Sequence, residues 1–200
     1  MSGCDRASCR MRRSMGGGPG RIRVHDAATI DEVAARFVLT TGETLREASG
    51  SRLLVLVFLR HFGCTFTRQI LRGLDELKQS AEAHDAELVL VHMLKTGHEI
   101  RYLGGHGDIT RIADPGCELY RAFGLGRGGL LELFGPRVWW LAALSMFKGC
   151  GVGHLAGDGL QMPGTFLYRN GRILAARRAA SAADLPDIPA LFASMPVDPA

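Results

Sequence analysis

Between Leu53 and Leu59 seven apolar residues follow one another without a polar break. Such a run fits a strand buried on both faces rather than an alternating surface strand. From Thr65 to Ala83 the pattern changes: Phe66, Ile70, Leu71, Leu74 and Leu77 recur at helical spacing with polar residues between them. A second strand follows in Glu87-Leu88-Val89-Leu90-Val91-His92-Met93. Strand, helix and strand in that order predict a parallel pair with a right-handed crossover. Residues 96–108 are rich in glycine and histidine and give a mixed signal, after which Ile109 to Ala113 reads as a third strand. Asp114-Pro115 then opens a helix, with Asp as N-cap and Pro at the first helical position, that carries Leu119, Tyr120 and Phe123 and ends near Gly124. Toward the C-terminus, Gly164 to Tyr168 and Ile173 to Ala175 flank Asn170-Gly171, a tight-turn pair that predicts a β-hairpin. Asp184 to Ala193 closes the chain as a helix, against the preference of Pro186 and Pro189.

Upstream of the first strand, Thr29 to Arg36 reads as a short helix with Thr29 as N-cap and Glu32 completing a capping box. Phe37-Val38-Leu39 before Thr41-Gly42 suggests a strand and turn, and Leu45 to Ala48 a helical turn. The sum is an α/β protein: a central mixed sheet flanked by helices, with a Trp/Gly-rich insertion (126–159) before the final hairpin. No internal repeat interrupts it. This is the element order of a thioredoxin-like fold.

A chain of 200 residues suffices for one such domain, expected over residues 21–200. Its formal charge of +4 is misleading. Residues 1–23 hold six arginines against one acid, Asp5, so the rest of the chain carries almost no net charge. Residues 1–20 therefore read as a disordered basic tail, which lacks the apolar core of a secretory signal. A basic nucleic-acid-binding face on the folded part is not supported. The run from Val138 to Phe147 is too short to span a bilayer, which takes about twenty residues. Five cysteines (Cys4, Cys9, Cys64, Cys117, Cys150) at irregular spacing make neither a disulfide framework nor a zinc site, and a reducing cytoplasm is expected.

Cys64 stands where the buried strand gives way to a helix. Unpaired N–H groups at a helix start favour negative charge, and Arg60, His61 and Arg68 are close in sequence. Thr67 and Arg68, three and four residues on, share its helical face, so the Thr67 hydroxyl is a candidate hydrogen-bond donor to the sulfur. Arg60 and His61 project to opposite sides, so at most one of them faces the thiol.

The segment Phe58-Leu59-Arg60-His61-Phe62-Gly63-Cys64 resembles the active-site segment of peroxiredoxin-like proteins of the AhpC/TSA superfamily. Three further stretches match in order: Asp114-Pro115 with Leu119 to Leu125, Phe134 to Trp140, and Gln161 to Leu167. The resemblance covers about residues 35–185 and implies a thioredoxin fold and thiol-dependent antioxidant chemistry. Two positions depart from it. In the usual Pro-x-x-x-Thr-x-x-Cys motif, Val57 stands in the proline place and His61 in the threonine place. Where related sequences often have Cys-x-x-Cys, Thr67 stands in the second place, so no local disulfide can form.

The resemblance implies Cys64 as the redox-active nucleophile, with His61, Arg60 and Thr67 steadying it. It places Pro163 opposite the thiol after a cis bond, with Arg68 as a further substrate contact. Cys117 and Cys150 are the candidate resolving thiols within the chain. The expected substrate is a peroxide or disulfide, and the reductant an external thiol, glutathione or a thioredoxin-like protein. No metal, flavin or nucleotide is expected as cofactor, since the chain has no Walker or Rossmann glycine pattern. Two other readings stay open: a monothiol disulfide or glutathione-linked oxidoreductase, and a non-catalytic thioredoxin-like binding module. Trp139-Trp140 with Phe134, Leu141, Leu144 and Phe147 form a lid, a homodimer surface or plain core. His92 reads as a satisfied core residue, and His98 and His106 as exposed loop residues.

Overall fold

The unbroken apolar run becomes the middle of the sheet. The computed structural model of the chain describes residues 27–129, 135, 136, 140 and 158–195. In order it contains α1 (Ala27–Ala34), α2 (Leu45–Ser51), β1 (Leu53–Phe58), α3 (Thr65–Arg72), α4 (Leu74–Glu82) and β2 (Ala86–His92). There follow α5 (Ile100–Leu103), β3 (Thr110–Ala113), α6 (Glu118–Ala122), β4 (Gly164–Arg169), β5 (Arg172–Arg178) and α7 (Ile188–Ala193). The sheet order is β3-β2-β1-β4-β5. β1 runs parallel to β2 and antiparallel to β4, with Phe58 paired to Val91 on one side and Gly164 on the other. This is the mixed sheet of a thioredoxin-like fold, as expected.

β1 divides the core by its alternation. Leu54, Leu56 and Phe58 face one side, packed with Leu119, Tyr120 and Phe123 from the α6 region and Phe166 and Tyr168 of β4. Val55, Val57 and Leu59 face the other, against Ile70, Leu71 and Leu74 of α3 and α4 and Leu191 of α7. A strand with apolar contacts on both faces has to be apolar at every position. Full burial of each such side chain contributes about 1.5–3 kcal/mol. Phe58 gathers three rings at its end: Tyr120 edge-on at 4.9 Å, Phe123 at 5.1 Å and Phe166 at 5.3 Å. The hairpin turn has Asn170 and Gly171 both at positive φ, 48° and 72°, as a two-residue primed turn requires.

Several boundaries differ from expectation. α1 begins at Ala27, two residues before the expected cap Thr29. The capping box belongs instead to α2, where the Thr44 hydroxyl accepts from the Glu47 amide and the Glu47 carboxylate accepts from the Thr44 amide. The Val38 region makes only an isolated bridge to Thr44. The single helix expected over 65–83 is two, broken at Gly73, the weakest helix former in the stretch. α6 starts at Glu118 rather than at Pro115. Asp114 still caps it from outside, its carboxylate accepting from the amides of Glu118, Leu119 and Tyr120 across the intervening turn. Pro189 does not oppose α7, because it lies in the first turn, where its missing N–H has no intrahelical partner to lose. The expected tail, residues 1–20, and most of the insertion lie outside the described residues.

Candidate active site

Cys64 is held by the way β1 ends. Leu59 N donates to Val91 O at 2.9 Å, keeping the chain in the sheet for one more residue. The buried Tyr120 hydroxyl donates to Leu59 O at 2.6 Å, with Val91 O at 3.0 Å. Burial raises the Tyr120 pKa and keeps this donor protonated. Arg60 to Gly63 then form a turn closed by Cys64 N donating to His61 O at 2.9 Å. Phe62 anchors this turn in the core, stacked on Tyr102 at 4.7 Å. Cys64 becomes the N-cap residue of α3, with extended backbone, and its carbonyl accepts from Arg68 N.

The thiol is 7% exposed, packed beside Phe66, Met162, Ala182 and Ala183. Arg60 Nη1 donates to Sγ at 3.3 Å. Arg60 is itself only 8% exposed, and its other donors go to backbone carbonyls, Nη2 to Gly159 at 2.6 Å and Nε to Gln161 at 3.3 Å. Among the described residues no carboxylate pairs with it. Asp158, the nearby acid, pairs with Arg127. A buried guanidinium held by carbonyl dipoles keeps its full charge for the sulfur it faces.

The other expected site residues fall in different places. His61 follows Arg60, and its Nδ1 is buried with no hydrogen-bond partner among the described residues. Burial, and then the Arg60 charge, push its pKa down to about 4, so it is neutral at physiological pH. Thr67 is 1% exposed, but its hydroxyl has no hydrogen-bond partner among the described residues, and the expected hydrogen bond to Sγ is not made. Sharing a helical face does not guarantee contact when the cysteine is the cap residue rather than part of the helix. Arg68 lines a groove with Arg72, Tyr102 and His106. Pro163 precedes β4 in a trans bond, contrary to expectation. Trans is the lower-energy form, and strand pairing starts only at Gly164, so Pro163 displaces no ladder hydrogen bond. A cavity of about 120 Å³ opens beside Pro163 between β4, β5 and the segment before α7, and Cys64 is not among its lining residues.

Cys117 and Cys64 are both free thiols and belong to separate packed clusters. Burial, followed by Asp114 and Asp158, raises the Cys117 pKa. Cys150 lies outside the described residues, as do Trp139 and most of the apolar insertion; Trp140 is 68% exposed. His92 is buried but less satisfied than expected. Its Nε2 lies 4.0 Å from Glu99, which is not an ion pair at neutral pH because burial lowers the His92 pKa to about 4. His98 is exposed, while His106 is half-buried against Asp75 at 3.4 Å. Among the described residues no group of three or more His, Cys, Asp or Glu side chains could hold a metal ion. None of their helices is long and apolar enough to cross a membrane.

Sequence reasoning missed Gln161. Its side-chain nitrogen donates to Gly126 O at 3.0 Å and Leu125 O at 3.2 Å, while its own carbonyl accepts from Arg60. Its signals were a polar residue just ahead of a buried strand and its place at the head of the matching stretch Gln161 to Leu167, neither of which gives it a role.

No family model matches the chain. A prostamide/prostaglandin F synthase from Xenopus tropicalis is 29% identical over 152 residues, which are 73% of this chain and 75% of that protein. Among solved structures, a cysteine-to-serine mutant of PrxQ from Xylella fastidiosa superposes with a TM-score of 0.50. It is 17% identical and covers 75% of this chain and 79% of its own. The bacterioferritin comigratory protein of Xanthomonas campestris gives a TM-score of 0.49 at 20% identity, over 78% and 89% of the two chains. The chain has a thioredoxin-like fold, as peroxiredoxins do.

Proposed function

We propose that this protein is a thiol-dependent redox enzyme that reduces peroxides through Cys64. The observation that carries the reading is the 3.3 Å contact from Arg60 Nη1 to Cys64 Sγ, made at the N-terminus of α3 by a buried cation with no carboxylate partner among the described residues. Both features place positive charge beside the sulfur, where the attacking nucleophile and the departing oxygen carry negative charge.

In the proposed reaction the Cys64 thiolate attacks the terminal oxygen of a hydroperoxide. An S–O bond forms as the O–O bond breaks. The departing oxygen takes a proton and leaves as an alcohol or water, and the sulfur becomes a sulfenic acid. Arg60 spreads its charge over sulfur and the departing oxygen, where negative charge moves during the step. His61 and Thr67 each bring a buried polar atom, unpaired among the described residues, to the same turn and helix start. Neutral His61 serves as a hydrogen-bonding group rather than as an imidazolium acid. An external thiol then attacks the sulfenic sulfur, releasing water and forming a mixed disulfide, and a second thiol releases Cys64 reduced. Cys117 is a poor internal resolver, since its thiol is pushed toward the protonated form. No cofactor takes part in these steps.

Thr67 in the place of a second cysteine suits a second reading, a monothiol disulfide exchanger. One experiment separates the two. Reduced protein receives one equivalent of hydrogen peroxide, with sulfenic-acid trapping and peptide mapping, beside Cys64→Ser. Rapid trapping at Cys64 alone is the expected result. Mixed-disulfide formation with oxidised glutathione and no sulfenic acid would favour the exchanger. Failure of Cys64 to react in either assay would sink both and leave a binding module.

A further inference from the structure

We infer that Gln161 is the positioning residue of this thiol site, its side-chain amide locking the segment that aims Arg60 at Cys64. The inference rests on the reading of Cys64 as a working thiolate.

Arginine side chains are long and lose rotamer freedom when held in one geometry. Arg60 is held by two carbonyls, Gly159 at 2.6 Å and Gln161 at 3.3 Å, both about a hundred residues away in sequence. Those carbonyls are useful only if the segment carrying them is fixed. Gln161 is 3% exposed, and its Nε2 lies within hydrogen-bond distance of three carbonyl oxygens: Gly126 at 3.0 Å, Leu125 at 3.2 Å and Met162 at 3.4 Å. Only the NH2 end of the amide tolerates such a site, which settles its orientation. The backbone adds Met162 N to Gly126 O at 3.1 Å and Gly128 N to Leu160 O at 2.7 Å. The side chain thus pins 159–162 to 125–128, and its own main-chain carbonyl turns toward Arg60.

The choice of carbonyls matters electrically. A carboxylate holding Arg60 would cancel the charge that the sulfur needs, whereas carbonyl dipoles orient the guanidinium and leave its charge intact. Gln161 therefore acts on sulfur through Arg60 without touching it.

The test is the rate of Cys64 alkylation by iodoacetamide across pH, read by peptide mapping on the full chain. The proteins are wild type, Gln161→Met, Gln161→Glu, Arg60→Met and the Gln161→Met/Arg60→Met double variant. Met conserves volume and removes the donor; Glu keeps the shape and turns an oxygen toward three carbonyls. Both single Gln161 variants should move the alkylation midpoint to higher pH and lower the neutral-pH rate about tenfold, the size of one lost charge-assisted hydrogen bond. The double variant should match Arg60→Met alone, because both act through one contact. A folded Gln161 variant with the wild-type pH profile, or additive effects in the double variant, would overturn the inference, even if thermal stability fell. If wild-type Cys64 alkylates no faster at neutral pH than in the urea-unfolded chain, the thiolate reading itself fails, and the inference with it. That outcome is separate from a reactive wild type with unresponsive Gln161 variants.

Discussion

The Tyr120 hydroxyl donates to the main-chain carbonyl of Leu59 at 2.6 Å, across 61 residues of sequence, at the point where β1 leaves the sheet. Arg60, which contacts the Cys64 sulfur, is the next residue. The ring of Tyr120 packs edge-on to Phe58 at 4.9 Å, so one side chain joins the core to the floor of the site. Tyr120→Phe should keep the ring contacts and leave the Leu59 carbonyl short of a donor, while Val91 O keeps the Leu59 amide. The expected loss is about 1–3 kcal/mol in urea unfolding, with folded-state Cys64 alkylation nearly unchanged. An unaltered unfolding midpoint would show that the hydroxyl is dispensable.

Acid should destabilise the fold through His92. In the unfolded chain a histidine takes up its proton near pH 6.5; in the fold, burial delays this to about 4. Above 6.5 both states are neutral and His92 adds no pH dependence. Between 6.5 and 4 only the unfolded chain binds the proton, so stability falls as pH falls. The loss levels off below 4 at on the order of 3 kcal/mol. His61, lowered to about 4, adds a limb of the same sign. Urea unfolding at pH 7.5, 6 and 5 should show the decline, and His92→Gln should flatten it. A variant as pH-sensitive as the parent would remove His92 as the cause.

Gly164 opens β4 opposite Phe58, and a Cβ there would lie 2.8 Å from Leu125 Cδ2 and 3.0 Å from the Phe166 ring. Both are packed core side chains with little room to move. Gly164→Ala should cost about 1–3 kcal/mol, as overpacking does. It should also displace Leu125, whose carbonyl receives the Gln161 amide. Thermal unfolding measures the first effect and slower Cys64 alkylation the second.

Cys117 should stay protonated and slow at neutral pH, since burial, Asp114 and Asp158 all act against its thiolate. Peptide mapping after brief alkylation should label Cys64 well ahead of Cys117. Cys117→Ser should leave glutathione-supported peroxide turnover at the parent rate. A fall of about tenfold or more would make Cys117 a participant.

Much of the frame was legible in the sequence for local reasons. The unbroken run 53–59 fits a strand with two apolar faces, and it places Cys64 at a strand-to-helix junction. Asn170-Gly171 determined the hairpin, because the pair accepts positive φ at two successive positions. Boundaries were less legible where a cap acts from outside its helix. Asp114 serves α6 across a turn, so its place in the chain marked the helix three residues early.

The site divides the same way. By itself the sequence determined a cysteine at a helix start, with cationic residues on both sides of it. It also showed that Thr67 removes a local disulfide partner. Which neighbour meets the sulfur was a tertiary decision. Arg60 and His61 are adjacent in the chain, yet the carbonyls of Gly159 and Gln161 draw Arg60 onto the thiol, while burial leaves His61 neutral beside it. Those carbonyls arrive through β4, which lies antiparallel to β1 and brings residues about a hundred positions away to its end. A guanidinium is directed by the dipoles around it, and in this fold those dipoles come from a distant part of the chain.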